Sequence, residues 1–246
     1  MVPSSSRSQA YTGYVLHKRA YRETSLLVDF FTLEQGRVSA VAKGARGNTK
    51  SERKSLLQAL QKNDFELSGR SALKNLGKIE GNGSNISLTH TALYCAFYIN
   101  EILTRALPEA EPMPELFAHY ERTLQLLSQT HSTEVVMFEP ILREFEFTLL
   151  HCMGYLPDFS SDMQSQQAIN IDEYYRFDVQ GGFTQCHPQT KHAISGQALI
   201  AIASGEYTSS HSVDVLKAAK YICRHALKEI IGSKPIKSRE LFLASL

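Results

Sequence analysis

Between Ala10 and Glu80 apolar and polar positions alternate in short runs, whereas beyond Ser87 they recur every three to four residues, and this change of period divides the chain. From Ala10 to Ala20, Tyr11, Gly13, Val15 and His17 alternate with Thr12, Tyr14, Leu16 and Lys18, which predicts a first strand that breaks near Arg22 and Glu23. Thr24 to Thr32 is dense in β-formers, and Glu34-Gln35-Gly36 makes a short turn into a further strand, so the two are expected to pair antiparallel. On the strand from Gly36, period-two geometry sets Arg37, Ser39, Val41 and Lys43 on one face and Val38, Ala40 and Ala42 on the other. One face is expected to pack and the other to meet solvent or a polyanion. Asp64 to Ser68 and Leu73 to Glu80 supply two more short strands around Gly69, Arg70 and Ser71. Five short strands with hairpin turns and one longer connection fit a small closed barrel of the oligonucleotide-binding (OB) type or, almost equally, of the SH3-like type. Closure leaves such a small β-domain without exposed edges.

Gly81-Asn82-Gly83-Ser84-Asn85 interrupts both periods and marks a boundary. After a cap at Ser87 or Thr89, Leu93, Ala96, Phe97, Asn100, Ile102, Leu103 and Leu107 trace a helix that Pro108, Pro112 and Pro114 end. Leu116, Phe117, Tyr120, Leu124 and Leu127 form the stripe of the next. A third helix, capped by Ser132 or Thr133, runs to Met153, with Pro140 as a kink or as its true first turn and Gly154 as its stop. Between Tyr155 and His192 helical character lapses, and Tyr174 to Val179 with Phe183 to Cys186 predict a hairpin around Gly181-Gly182. Helices resume over Ser195 to Ala203 and Ser212 to Ile231, with a short last one after Ser238. The expected fold is α+β: a disordered leader over 1–9, an OB-type barrel over 10–80, a linker over 81–86, and a mainly α-helical domain over 87–246 with a small inserted hairpin in a non-helical stretch at about 155–192.

Charge adds a second division. The formal net charge is only +1, but its sign follows position. Residues 1 to 80 carry 14 Lys and Arg against 7 Asp and Glu, residues 81 to 170 carry 3 against 11, and residues 171 to 246 carry 9 against 7. Such segregation suits a polyanion-binding module joined to a part with a different partner. The cations gather after the strand from Gly36, where Lys43, Arg46, Lys50, Arg53 and Lys54 are offset only by Glu52, and Gly44, Gly47 and Asn48 let the backbone bend. With Arg37 they are the expected phosphate contacts, and Tyr14 and Tyr21 are expected to be exposed and to stack on bases. A solvated lysine-rich loop is the plain alternative.

Catalytic chemistry finds little support. There is no Gly-x-x-x-x-Gly-Lys-Ser/Thr run for a phosphate-cradling loop. Cys152 follows His151 on a helix, where adjacent side chains diverge by about 100°, and Glu144 and Glu146 are expected on a solvated face. Cys186, His187 and His192 offer part of a zinc site, but no second pair completes it. A metal-dependent hydrolase using His187 and His192 is the alternative function, and a structural adaptor without DNA affinity is a third. No catalytic residue, metal or cofactor is expected. Cys95, Cys152, Cys186 and Cys223 are widely spaced, which fits a reducing, cytoplasmic compartment. No apolar run reaches the roughly 18 residues of a membrane span, and Met1 to Gln9 lacks the apolar core of a secretory signal. In the acidic helical part the basic residues are Arg105, Arg122 and Arg143. Arg143, among Phe138, Leu142, Phe145, Phe147 and Leu149, either presents a guanidinium beside an apolar groove suited to a peptide carboxylate or lies over a core helix.

Four stretches occur in order along the chain: Glu23-Thr24-Ser25-Leu26; Gly36-Arg37-Val38 with Val41-Ala42-Lys43-Gly44-Ala45-Arg46; Tyr98-Ile99-Asn100-Glu101 with Leu103; and Lys234-Pro235 with Lys237-Ser238-Arg239-Glu240-Leu241. Together they resemble the RecO family of bacterial recombination mediators. The resemblance implies an amino-terminal OB domain, a helical domain, binding of single- and double-stranded DNA, strand annealing, and work with RecR and the single-stranded-DNA-binding protein (SSB) in RecFOR repair. On that basis the acidic carboxy-terminal tail of SSB is expected to dock on the helical domain at Arg143 and Arg105. Many members of the family carry a four-cysteine zinc site of two Cys-x-x-Cys pairs. Here the stretch after Gly154-Tyr155-Leu156-Pro157 that corresponds to the first pair, Asp158 to Ser165, has no cysteine, and only Cys186 corresponds to the later one. The zinc site is therefore expected to be lost.

Overall fold

The computed structural model describes residues 8–46, 52–83, 86–207 and 212–243. Strands β1 (Gln9–Tyr21), β2 (Ser25–Thr32), β3 (Gly36–Ala42), β4 (Lys62–Ser68) and β5 (Lys74–Gly81) close into a barrel in the order β1-β2-β3-β5-β4. Neighbours are antiparallel except β3 and β5, which run parallel through Ala40 with Lys74 and Val41 with Asn75. A short helix, α1 (Glu52–Leu56), lies in the β3–β4 connection. This five-stranded Greek-key order is that of the OB fold and decides against the SH3-like alternative.

Inside the barrel Val15, Phe30, Val38, Ala40 and Phe65 are buried, and the Phe30 and Phe65 rings stack at 4.2 Å. β2 is buried on both faces because both are covered. Phe31, pointing outward, meets Phe117 and Tyr120 of α3 (Pro114–Gln129) at 5.3 and 5.9 Å, and Tyr14 on β1 meets the same two rings at 5.9 and 5.1 Å.

Helix α2 (His90–Ala106) stops ahead of Pro108 and carries the whole third family-like stretch, Tyr98 to Glu101 with Leu103. β1 bulges between Val15 and His17, and the buried Asn100 amide sits at that bulge. Its Nδ2 donates to the carbonyls of Val15 and Leu16 at 3.3 and 3.0 Å, and its Oδ1 accepts from the Tyr120 hydroxyl at 2.7 Å. Glu101 receives the backbone N–H groups of Lys237 and Ser238 at 2.9 and 2.8 Å, at the start of α7 (Ser238–Leu243). Burial pushes the Glu101 carboxyl up, but those backbone bonds and Arg105 outweigh it and hold it below the usual carboxylate range. The Arg239 guanidinium lies 5.6 Å from the centre of the Tyr98 ring. The third and fourth family-like stretches, more than a hundred residues apart, thus form one clasp. Gly36 is fixed by its surroundings as well: φ is +63°, and a Cβ there would lie 1.8 Å from the Glu111 carbonyl oxygen.

The chain falls into two compact units, residues up to His131 together with Pro235 onward, and Ser132–Lys234. Helices α2, α3 and α7 therefore belong with the barrel, and the helical part expected as one domain is shared between the units. In the second unit a 3-10 turn (Val135–Phe138) leads into α4 (Glu139–Cys152), with Pro140 in its first turn, not at a kink. A sheet in the order β7-β6-β8 joins β6 (Tyr174–Asp178), β7 (Gly182–Cys186) and β8 (Ile194–Ser195). Helix α5 (Gly196–Ala203) is capped by Ser195, whose Oγ accepts from the Ala198 N–H, and α6 (Ser212–Ile231) follows. Among the described residues no helix is long and apolar enough to cross a membrane.

Candidate nucleic-acid interface

Strand register gathers cations at one end of the barrel. Tyr21 pairs with Ser25 across the β1–β2 hairpin and Leu26 pairs with Ala42, so the hairpin tip lies beside the loop that leaves β3. Two bonds fasten them: the Arg46 N–H donates to the Thr24 carbonyl at 3.0 Å and the Arg46 guanidinium to the Arg22 carbonyl at 2.8 Å. Arg22, with φ +51°, lays its guanidinium 5.2 Å from the centre of the Tyr21 ring. Lys18 Nζ donates to Gln58 Oε1 just beyond α1. Burial, and then the nearby Lys54 charge, lowers the Lys18 ammonium pKa. At Gly44, with φ +69°, the loop faces open space.

Of the residues expected to touch phosphate, Lys43, Arg46 and Lys54 are exposed at this end. Lys50 lies outside the described residues. Arg37 does not meet solvent as expected: its Nε donates to the Leu107 carbonyl at 2.9 Å and its guanidinium lies 3.5 Å from the Glu109 carboxylate. Arg37 instead fastens the segment after α2 across the outside of β3, which local alternation does not reveal. Arg53 spends its guanidinium on the Leu76 and Gly77 carbonyls at 3.0 and 3.1 Å, tying α1 to β5.

Tyr14 corrects the expectation of an exposed stacking ring, because only 3% of it is accessible. The aromatic residues of α3 cover it, and its hydroxyl donates to Glu121, which also pairs with Lys62 at 2.6 Å. Burial first, then Glu121, pushes its phenol far up. Tyr21 is half-buried under Arg22. Lys18, Arg19 and Arg22 lie outside the basic cluster of the sequence; the break at Arg22 and Glu23 is the tip of the β1–β2 hairpin, which brings them beside Lys43.

The two arginines expected at a partner's carboxylate belong to different units. Arg105 donates to the Pro235 carbonyl at 3.3 Å and flanks a cleft of about 460 Å³ that Lys18, Arg19 and Lys237 also line. Arg143 is enclosed, not presented beside a groove. Its guanidinium pairs with Glu146 at 2.9 Å, with side-chain exposures of 6% and 1%. Glu146 is therefore buried where a solvated face was expected. Helix α4 is covered on nearly all sides, by burial of Leu142, Phe145, Phe147, Leu149 and Leu150. The Cys223 thiol lies in the same enclosure, and burial, reinforced by Glu146, raises its pKa well above the ordinary value.

Among the described residues no three His, Cys, Asp or Glu side chains come together as ligands for a metal. His187 Nδ1 accepts from the Gln189 N–H at 3.3 Å, while the His192 ring stacks on Tyr221, so the two imidazoles have separate partners. In the loop where zinc-bearing members would hold their first cysteine pair, Asp162 accepts from the Gln164 and Ser165 N–H groups at 2.9 and 2.6 Å, and from Gln185, next to Cys186 on β7. The Ser165 bond, foremost among these, holds its carboxyl below the usual range. A carboxylate thus ties this loop to the strand.

Comparison with known proteins agrees with the barrel and extends past it. The family profile described as "Recombination protein O N terminal" matches residues 8–84, and "Recombination protein O C terminal" matches 88–240. The chain is 46% identical to a DNA repair protein RecO of Alteromonas mediterranea, over 94% of this chain and 95% of that protein. It is 46% identical to the one of Pseudoalteromonas atlantica, over 96% and 94%, and 39% identical to one of Haemophilus influenzae, over 98% of each. An OB barrel, a clasp built from two of the family-like stretches, and matches across both parts of the chain lead to one conclusion: the chain belongs to the RecO family.

Proposed function

We propose that this protein binds DNA at the basic end of its barrel, anneals complementary strands, and, together with SSB and RecR, helps to load recombinase in cytoplasmic recombinational repair. One observation carries the reading: hairpin register and the Arg46 bonds bring Lys18, Arg19, Arg22, Lys43 and Arg46 to one end of an OB barrel, where Lys54 of α1 lies near Lys18. Family membership and the relatives' naming as DNA repair proteins support it. The mechanism is electrostatic. Phosphates bound by these cations release counterions, and neutralising two strands at once removes much of the repulsion that keeps them apart. Tyr21, beside Arg22, is the ring best placed to stack on a base. No residue is assigned a catalytic role.

The test is the salt dependence of oligothymidine affinity by fluorescence anisotropy. Replacing Lys43, Arg46 and Lys54 together by alanine is expected to flatten the slope of log affinity against log salt by about 2, at roughly 0.7 for each single-strand phosphate contact. An unchanged slope would remove these residues from the interface.

A further inference from the structure

Helix α6 in the second unit has a basic face that the segment's modest net charge conceals. Lys217, Tyr221, Arg224 and Lys228 follow at spacings of four, three and four, which sets them within an arc of about 60°. Lys217, Arg224 and Lys228 are exposed and Tyr221 is half-buried, whereas the opposite face, with Val215, Ala219, Ile222, Cys223 and Ala226, is buried. The acidic residues of this helix are Asp214, 3.6 Å from Lys217, and Glu229.

A ladder of rings stands on the same face. His192 comes from the turn before β8 and has φ +62°, a backbone conformation seldom adopted without a reason. Its imidazole stacks on Tyr221 at 4.9 Å and 21°, and His225 lies against Tyr221 at 4.2 Å and 45°. A bond between His225 Nδ1 and the Tyr221 carbonyl, 2.7 Å long, fixes that imidazole. The exposed His192 and Tyr174, with Tyr221 and Lys217, border a cleft of about 320 Å³.

We infer that this face of α6, with His192 and Tyr174, is a second single-stranded-DNA site, in which Lys217, Arg224 and Lys228 hold consecutive phosphates and a base extends the His192–Tyr221–His225 ladder. Flat rings alternating with cations suit stacking and phosphate neutralisation together. An acidic peptide would engage the cations but leave the ring ladder without a role. The inference rests on the DNA-binding reading above and adds a separate surface on the same chain, as an annealing protein that holds two strands requires.

The test uses the full chain. Ultraviolet cross-linking to oligothymidine, with adducts mapped by mass spectrometry, is expected to mark the segments containing His192 and Tyr221 as well as the barrel end. Replacing Lys217, Arg224 and Lys228 by alanine is expected to flatten the salt slope by about 2, and Tyr221→Leu to weaken binding by about tenfold. Adducts confined to the barrel, with a wild-type slope for the α6 variant and a flattened one for the Lys43/Arg46/Lys54 variant, would overturn this site and leave the barrel site standing. Loss of affinity for a glutamate-rich peptide but not for oligothymidine would overturn it in favour of a protein partner. A wild-type chain that binds no oligothymidine would overturn both readings.

Discussion

Arg143→Ala is expected to destabilise the second unit by about 3–5 kcal/mol, because it leaves the Glu146 carboxylate charged and enclosed. The pair is spaced i to i+3 on α4, 2.9 Å apart, with 6% and 1% of the two side chains exposed. In such a setting neither member can recover water when the other is lost, and the Cys223 thiol beside Glu146, neutral or anionic, carries no positive charge to replace the guanidinium. Glu146→Ala should cost about as much for the mirror-image reason. Replacing both together, Arg143→Met with Glu146→Leu, should recover most of the loss, since an apolar pair of similar volume needs no compensation. Urea denaturation of the three variants, followed by far-ultraviolet circular dichroism, checks the pattern. An Arg143→Ala protein as stable as wild type would show that the guanidinium is not enclosed.

The second large effect is expected at Asn100. Asn100→Leu keeps the shape of the side chain but removes the donor at the β1 bulge and the acceptor for the Tyr120 hydroxyl. The Val15 carbonyl retains the Leu60 N–H at 2.9 Å, so the loss falls on the Asn100 bonds of the Leu16 carbonyl and the Tyr120 hydroxyl. At about 1–3 kcal/mol for each buried polar group that loses its Asn100 bond, the expected loss is about 2–6 kcal/mol for the barrel-bearing unit. Thermal unfolding compared with Thr104→Val, which on the same helix removes a hydroxyl that bonds back to the Asn100 carbonyl, separates this effect from general damage to α2.

Strand and helix periods make most of this fold readable from the sequence, since short alternating or β-former-rich runs correspond to the five barrel strands and the proline positions mark the end of α2 and the starts of α3 and α4. What escaped depends on contacts between distant segments. Alternation shows which side of β1 and β3 Tyr14 and Arg37 occupy, but not that α3 and the 107–110 segment cover that side. Arg143 looked presentable because charge usually means solvent, whereas α4 is surrounded by apolar packing. The two-residue strand β8 is too short to leave a pattern. In the candidate interface Lys43, Arg46 and Lys54 came from a visible cluster, while Lys18, Arg19 and Arg22 join them only through hairpin register. The α6 row was visible in principle at helical spacing, but a net charge taken over residues 171 to 246 averages it away.

Annealing of complementary oligonucleotides coated beforehand with SSB tests the central claim most directly, because it requires DNA binding, tolerance of the coating protein and pairing in one reaction. The wild-type chain is expected to accelerate annealing of the coated strands, and the Lys43→Ala/Arg46→Ala/Lys54→Ala variant to lose most of that acceleration while remaining folded. A wild-type chain that leaves the annealing rate unchanged, or a variant that accelerates it as well as wild type, would contradict the assignment of strand annealing to the basic end of the barrel.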